Sequence, residues 1–179
     1  MGNLESMITK LVKPSSQYKD SFLEAMREFQ ADSERSRFGL IDDLNISEVE
    51  NNFEKYLEKI SNKEKGIGLE EGQVPASSLL LIEDGAVVGI VSLRHKLNEK
   101  LLKMGGHIGY GHQKEKWVME QILEFALLEA KKLGIDRAMV SCDDDNVGSA
   151  KIIEKNGGIL ENKVEHEGKL KRRYWIENK

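Results

Sequence analysis

Cysteine is nearly missing from this sequence of 179 residues: a single one, Cys142, rules out an intramolecular disulfide and any thiol-rich structural zinc site. The four histidines, His95, His107, His112 and His166, have no spacing that would gather a metal ion, so no metal is expected. Proline is almost as scarce, with only Pro14 and Pro75, which argues against extended Pro-rich segments; no low-complexity tract or internal repeat is found either. An excess of positive charge is also lacking. The chain carries 27 Lys and Arg against 31 Asp and Glu, interspersed, for a net charge of -4, so it lacks the cationic surface that neutralises nucleic-acid phosphates. No apolar run is long enough to span a bilayer and no secretory leader is recognisable. Neither nucleic acid nor membrane is therefore expected as a partner, and a cytoplasmic location is.

What is present is the make-up of a folded α+β protein, 39% hydrophobic and 32% charged. A single domain is expected over residues 7–179, with residues 1–6, ahead of a second methionine, read as a leader or an appended remnant. Weak alternation over residues 8–12 predicts a strand, and Tyr18, Phe22, Ala25, Met26 and Phe29 recur at helical spacing. Ser47 with Glu50 three residues on predicts a capping box, opening a helix whose stripe is Val49, Phe53, Tyr56, Leu57 and Ile60. After an aperiodic loop over 61–76, residues 78–83 and 86–94 flank Asp84-Gly85, a dipeptide suited to a tight hairpin. A polar connection through Asn98 and Lys103 leads to a strand over 106–111. A long amphipathic helix follows, marked by Met119, Ile122, Leu123, Ala126, Leu127 and Ala130 and ending at Gly134. A short strand (137–142), a short helix (146–156) and an antiparallel pair (159–164 with 169–176) complete the chain. The basic run 169–173 is expected to form an edge strand, where charge discourages aggregation.

The junction between the strand at 106–111 and the long helix is the most informative unit. A helix start offers unpaired N–H groups, and Gly109, Gly111, Lys114 and Lys116 around it suit an anion. A dinucleotide fingerprint is excluded because Lys114 stands where a third glycine is needed. Residues 143–154 come near a calcium loop, with Asp143, Asp145, Gly148 and Glu154 at the right offsets. Val147 fills a position that needs oxygen, however, and a strand precedes the run, so the segment reads as a helix start capped by Asp145 or Asn146. His107, beside the anion site and with an ordinary pKa suited to proton transfer, is a candidate base. Cys142, next to three carboxylates, is not read as a nucleophile.

Taken in order, GGHIGYG, EQILEFALLEAKKLGI, RAMVSC, DDDNVGSAKIIEKNGGILEN and RRYWI resemble the GNAT superfamily of N-acetyltransferases, and most of all its bacterial members of unassigned substrate with RHKLNE (94–99) ahead of GGHIGY. The likeness covers most of the second half; the first half agrees in element order only. The resemblance implies a mixed sheet splayed between its two central strands and flanked by helices, with acetyl-CoA in the opening as cosubstrate. On that basis Ile108, Gly109, Tyr110, Gly111 and His112 would offer backbone to the pantetheine arm. Gln113, Lys114, Lys116, Trp117 and Val118 would stand at the pyrophosphate, and Asn146 and Ser149 at the thiol end. Implied too are direct attack of an amine on the thioester, oriented by Asn146, and homodimers as a family habit.

Two departures accompany the resemblance. The family loop places small residues where Lys116 and Val118 stand, and the position of a frequent tyrosine general acid is Ile153, while His107 occupies a position where relatives carry a glutamate. The first reading is therefore an acetyl-CoA-dependent N-acetyltransferase with His107 and Asn146 as catalytic candidates. The alternative is a non-catalytic protein of the same fold whose altered loop no longer takes the cosubstrate and which acts as an interaction or dimerisation module. The acceptor pocket is expected among residues 32–45 and 96–103.

Overall fold

At Asp84 and Gly85 the backbone takes φ of 47° and 86°, so both central turn residues lie in the left-handed region and the flanking strands reverse with matching twist. The computed structural model describes residues 9–31, 44–112, 116–166 and 168–178, with the backbone alone for 112 and 116–119. The strands on either side of the turn are β2 (Ala76–Glu83) and β3 (Ala86–Arg94). β1 (Thr9–Val12) pairs with the outer edge of β2, and β4 (Ile108–His112) with that of β3, giving an antiparallel sheet in the order β1-β2-β3-β4.

Both faces of the central hairpin are covered, so it reads as nearly continuous apolar sequence instead of alternating. Leu79, Leu81, Val91 and Leu93 point to one core together with Ile122, Leu123 and Ala126 of α5 (Lys116–Lys132). Leu80, Ile82, Val87 and Ile90 point to a second core with Phe22, Met26 and Phe29 of α1 (Lys19–Ala31). Gly89 is where α5 comes closest: a Cβ there would sit 2.7 Å from Ile122 Cδ1 and 3.2 Å from the Gly111 carbonyl oxygen.

The expected capping box at Ser47 and Glu50 does not form. Asn45 caps α2 (Ile46–Asn51) by accepting from the Glu48 N–H, and Asn52, at φ -144°, breaks the helix and caps α3 (Phe53–Glu64) through the Lys55 N–H. An asparagine side chain reaches an N–H three residues on as well as a serine does, so one predicted helix becomes two. The kink stacks Phe53 and Tyr56 against Phe22, with ring centroids 5.4 to 5.8 Å apart. The polar connection also hides a helix, α4 (Glu99–Lys103), capped by Asn98.

A second antiparallel sheet has the order β5-β7-β6, from β5 (Arg137–Asp143), β6 (Ile159–His166) and β7 (Lys169–Glu177). Between β5 and β6 the chain forms α6 (Val147–Lys155), capped by Asn146. The basic strand β7 is therefore central and not the edge strand expected. Its cations are tolerated there because carboxylates meet them: Lys171 with Asp143, Arg172 with Asp144 and Arg173 with Glu161. These pairs are only part-buried, so solvent still screens them and their net contribution is modest. The strand is held chiefly by the full burial of Tyr174 and Ile176.

The two sheets meet between β4 and β5, the two strands expected to splay. Every registered ladder is antiparallel, and a single bridge, Gly106 with Val140, crosses this seam. His107 completes it. Its N–H donates to the Met139 carbonyl at 2.7 Å, and its Nδ1 accepts from the Met139 N–H at 3.0 Å. Gly106, at φ 67°, lies so close to β5 that a Cβ would stand 2.3 Å from the Met139 oxygen.

Two predictions follow from the seam. Gly106→Ala should lower the unfolding free energy by about 2–4 kcal/mol, from positive φ and a backbone clash together, read as a lower urea midpoint; an unchanged midpoint would mean that the seam yields freely. The second concerns pH. Burial first, and then the charge of Arg94, holds His107 below its ordinary pKa of 6.5. The unfolded chain therefore binds this proton at higher pH than the folded one, so the stability linked to His107 is complete above the unfolded value and is lost as pH falls through it. Urea titrations at roughly pH 7.5 and 5.5 should show a fall that is flatter in His107→Asn, whose Oδ1 can still accept from Met139. An undiminished fall would assign it to other groups, His95 first.

Candidate active site

Beyond the stitch at His107 the strands part. β4 keeps its ladder with β3 on one edge, while its other edge faces a cleft of about 850 Å³. Ile108, Gly109 and Tyr110 line one wall, and Ser141, Cys142 and Asp143 the other. Asn146 and Ser149, at the start of α6, stand at the same cleft. The seam itself is braced from within the cleft by Ser141, whose Oγ accepts from the Gly105 N–H at 3.0 Å.

Of the residues expected from the sequence to form a site, Ile108, Gly109, Tyr110, Asn146 and Ser149 are brought together here. Asn146 uses its Oδ1 to cap α6 through the Ser149 N–H at 3.0 Å, which leaves its amide N–H groups available to the cleft. The Ser149 hydroxyl bonds to the Tyr110 hydroxyl at 3.0 Å, and both side chains are 5% exposed. Burial pushes the Tyr110 phenol up to about 12, so it stays a protonated donor. This hydroxyl pair was not foreseen, because serine and tyrosine 39 positions apart carry no joint sequence signal. Gly111 does not line the cleft; it pairs with Ile90 in the ladder. His112 is described by its backbone at the end of β4, Lys116, Trp117 and Val118 by theirs at the start of α5, and Gln113 and Lys114 lie outside the described residues.

His107 is the clearest departure from expectation. It is 9% exposed, belongs to the seam and is not among the cleft-lining residues. Because Nδ1 accepts from a backbone N–H, the neutral ring carries its proton on Nε2, and neither nitrogen has a lone pair left to take a proton from a substrate. Cys142 lines the cleft as a thiol pushed up to about 11, by burial first, which agrees with a non-nucleophilic reading. Ile153, at the position of the missing tyrosine, is fully buried core. The carboxylates of the calcium-like run are engaged elsewhere: Asp143 by Lys171, and Asp144 by Lys163 and Arg172.

The far end of the cleft holds three cations, of which Lys100 falls in the segment 96–103 expected to line an acceptor pocket, Arg94 opens the RHKLNE segment, and Lys63 was not singled out. Lys63 from the last turn of α3, Arg94 at the end of β3 and Lys100 in α4 all line it. Arg94 Nη1 donates to the carbonyls of Gly105 and Gly106, at 3.4 and 3.0 Å. The nearby wall is fixed by Ser77, whose Oγ donates to Glu64 at 2.9 Å and lies 2.8 Å from His95 Nε2. With its one proton given to Glu64, this serine is not activated by the histidine, and the trio ties α3 to the sheet.

No curated protein matches this chain in sequence. Solved structures do match it in shape. The ribosomal L7/L12 α-N-protein acetyltransferase RimL, in complex with coenzyme A, superposes with a TM-score of 0.64 at 14% identity, covering 97% of this chain and 96% of that one. The microcin C7 self-immunity acetyltransferase MccE, in complex with acetyl-CoA and AMP, gives 0.63 at 16% identity over 97% and 93%. An N-acetyltransferase from Staphylococcus aureus Mu50 gives 0.62 at 13% over 96% and 99%. At such identities the likeness establishes the fold. The family model for the acetyltransferase (GNAT) domain matches residues 13–159, from just after β1 to the first residue of β6, and with most of the chain so matched the protein belongs to the GNAT acetyltransferase family.

Proposed function

We propose that the cleft between β4 and β5 binds acetyl-CoA and that the protein transfers its acetyl group to an amine. The observation that carries this reading is the edge of β4 left unpaired among the described residues, opening on a cleft with a buried donor pair, Tyr110 and Ser149, and the amide of Asn146. The dimensions fit: about 850 Å³ lies within the range of cofactor sites, and Gly109 leaves the strand backbone accessible. When bound, acetyl-CoA supplies an acyl group activated as a thioester.

The chain's own residues then orient and polarise. The free edge of β4 holds an extended arm by backbone hydrogen bonds, as an added strand would be held. Asn146 and the Tyr110–Ser149 pair donate hydrogen bonds where negative charge develops, and since these groups are pre-aligned by a helix cap and by burial, little reorganisation is needed. Phosphate contacts are assigned to residues 113–118, between the end of β4 and the first turn of α5. With His107 locked as its Nε2–H tautomer, this imidazole does not serve as base, and the acceptor amine enters in its neutral form.

Calorimetric titration with acetyl-CoA should give micromolar binding. Tyr110→Phe should leave that affinity within about threefold while lowering kcat for an accepted amine roughly 10- to 100-fold. The pH dependence of kcat/KM should follow the pKa of the acceptor amine. Absence of binding, restored by the Lys116→Gly, Trp117→Gly pair, would overturn the enzymatic reading in favour of an interaction module with a closed loop.

A further inference from the structure

Three cations gather at the end of the cleft away from the start of α5. Lys63 and Arg94 are half-buried and Lys100 is exposed, and among the described residues none of the three has a carboxylate partner. Lys171, which lines the same cleft, is by contrast paired with Asp143. Arg94 spends only Nη1 on protein, donating to two carbonyls that fix the guanidinium against the seam. Its Nη2 and Nε have no protein partner among the described residues and are not sealed from solvent. A guanidinium held rigid on one side and open on the other is a preformed fork for an oxyanion. Burial, and for Lys63 also the charges of Arg94 and Lys59, disfavours the charged form of both groups and outweighs the attraction of Glu70 for Lys63, and an anion would relieve this.

The phosphates of the cosubstrate are a poor match for this site. The five residues of β4 run from beside the seam, next to Gly105 and Gly106, toward the start of α5, and an extended strand of that length spans about 15 Å. The cations stand at the seam end, where Arg94 meets Gly105 and Gly106, and the segment proposed for the phosphates stands at the other. An acceptor entering opposite the thioester would meet the cations first.

We propose that the acceptor is an amine that also carries an anionic oxygen group, a carboxylate or a phosphate, and that Arg94, aided by Lys63 and Lys100, recognises that group. The proposal rests on the acetyl-transfer reading for the word acceptor, whereas the anion site itself does not. Arg94 sets the geometry by presenting two N–H donors to one group, and the lysines add charge without fixed direction.

The test begins with the unliganded protein, so that it stands apart from acetyl-CoA binding. Inorganic phosphate and, separately, acetate are titrated while the NMR signals of Arg94 Nε–H and of the Gly105 and Gly106 amides are followed. Saturable shifts with either probe are expected, and whichever binds more tightly identifies the source as phosphate or carboxylate. In Lys63→Gln, Lys100→Gln, which leaves the Arg94 contacts to the seam intact, the affinity should fall at least about tenfold. Arg94→Gln should abolish the shifts of the two glycine amides, and the double lysine variant guards against its failing to fold. Absence of saturable shifts in the folded wild-type protein would overturn the proposal. So would a loss of acetyl-CoA affinity of more than about tenfold in the lysine variant, because it would assign the cations to the cosubstrate. Failure of acetyl-CoA to bind, with the anion shifts intact, would remove the transferase reading and leave the anion site standing.

Discussion

Between the residues just ahead of β4 and the strand β5, one backbone hydrogen bond, one accepted by the His107 imidazole and one accepted by the Ser141 hydroxyl join the two sheets at a narrow seam. A longer ladder here would have zipped β4 to β5 and left no cleft; the core shared by both sheets and α5 holds the halves together beyond the seam. The join is possible because Gly106 has no side chain to strike the Met139 oxygen and takes a φ that other residues resist. His107 then satisfies the one Met139 N–H that the seam would otherwise bury unpaired, at a cost of about 1–3 kcal/mol if left unmade. Its structural employment and its unsuitability as a base therefore have one cause, the direction in which its Nδ1 lone pair points.

Around that seam the energetics divide by type. The hairpin β2–β3 splits its alternate side chains between two cores, so the first sheet is fixed by burial on both faces. The second sheet adds a network of carboxylates and cations that neutralises a basic central strand without supplying most of its stability. The consequence reaches the cleft: Asp143, on the wall formed by β5, is engaged by Lys171 of β7.

Shape similarity to RimL and MccE at 14% and 16% identity shows what this family retains. A backbone path with an opening between two strands tolerates wide exchange of side chains, provided that buried positions remain apolar and the close approaches remain small. The walls of the opening carry no such constraint, so Arg94, Lys63 and Lys100 are features of this chain and do not follow from the shared fold.

The sequence by itself determined the elements that depend on local physics. Asp84-Gly85 specified the hairpin through positive φ, the stripe from Met119 to Ala130 specified the long helix, and Asp145-Asn146 narrowed the cap of α6 to two residues, of which the structure uses Asn146. It also carried the family, through the residues of GGHIGYG, of the long helix and of the block from Asp143 to Asn162, and not through element order alone. It misplaced the cap of α2 because asparagine and serine compete for the same role, and it placed β7 at an edge because charge pattern alone does not reveal a partner strand. The site was legible only in part. Ile108, Gly109, Tyr110, Asn146 and Ser149 could be named from local motifs, but the Tyr110–Ser149 bond, the closure of His107 against Met139 and the meeting of Lys63, Arg94 and Lys100 all join residues at least six positions apart from different elements. Tertiary structure alone decided them, because a side chain's chemistry depends on which partner reaches it, and in a chain of this length that is fixed by packing and not by proximity in sequence.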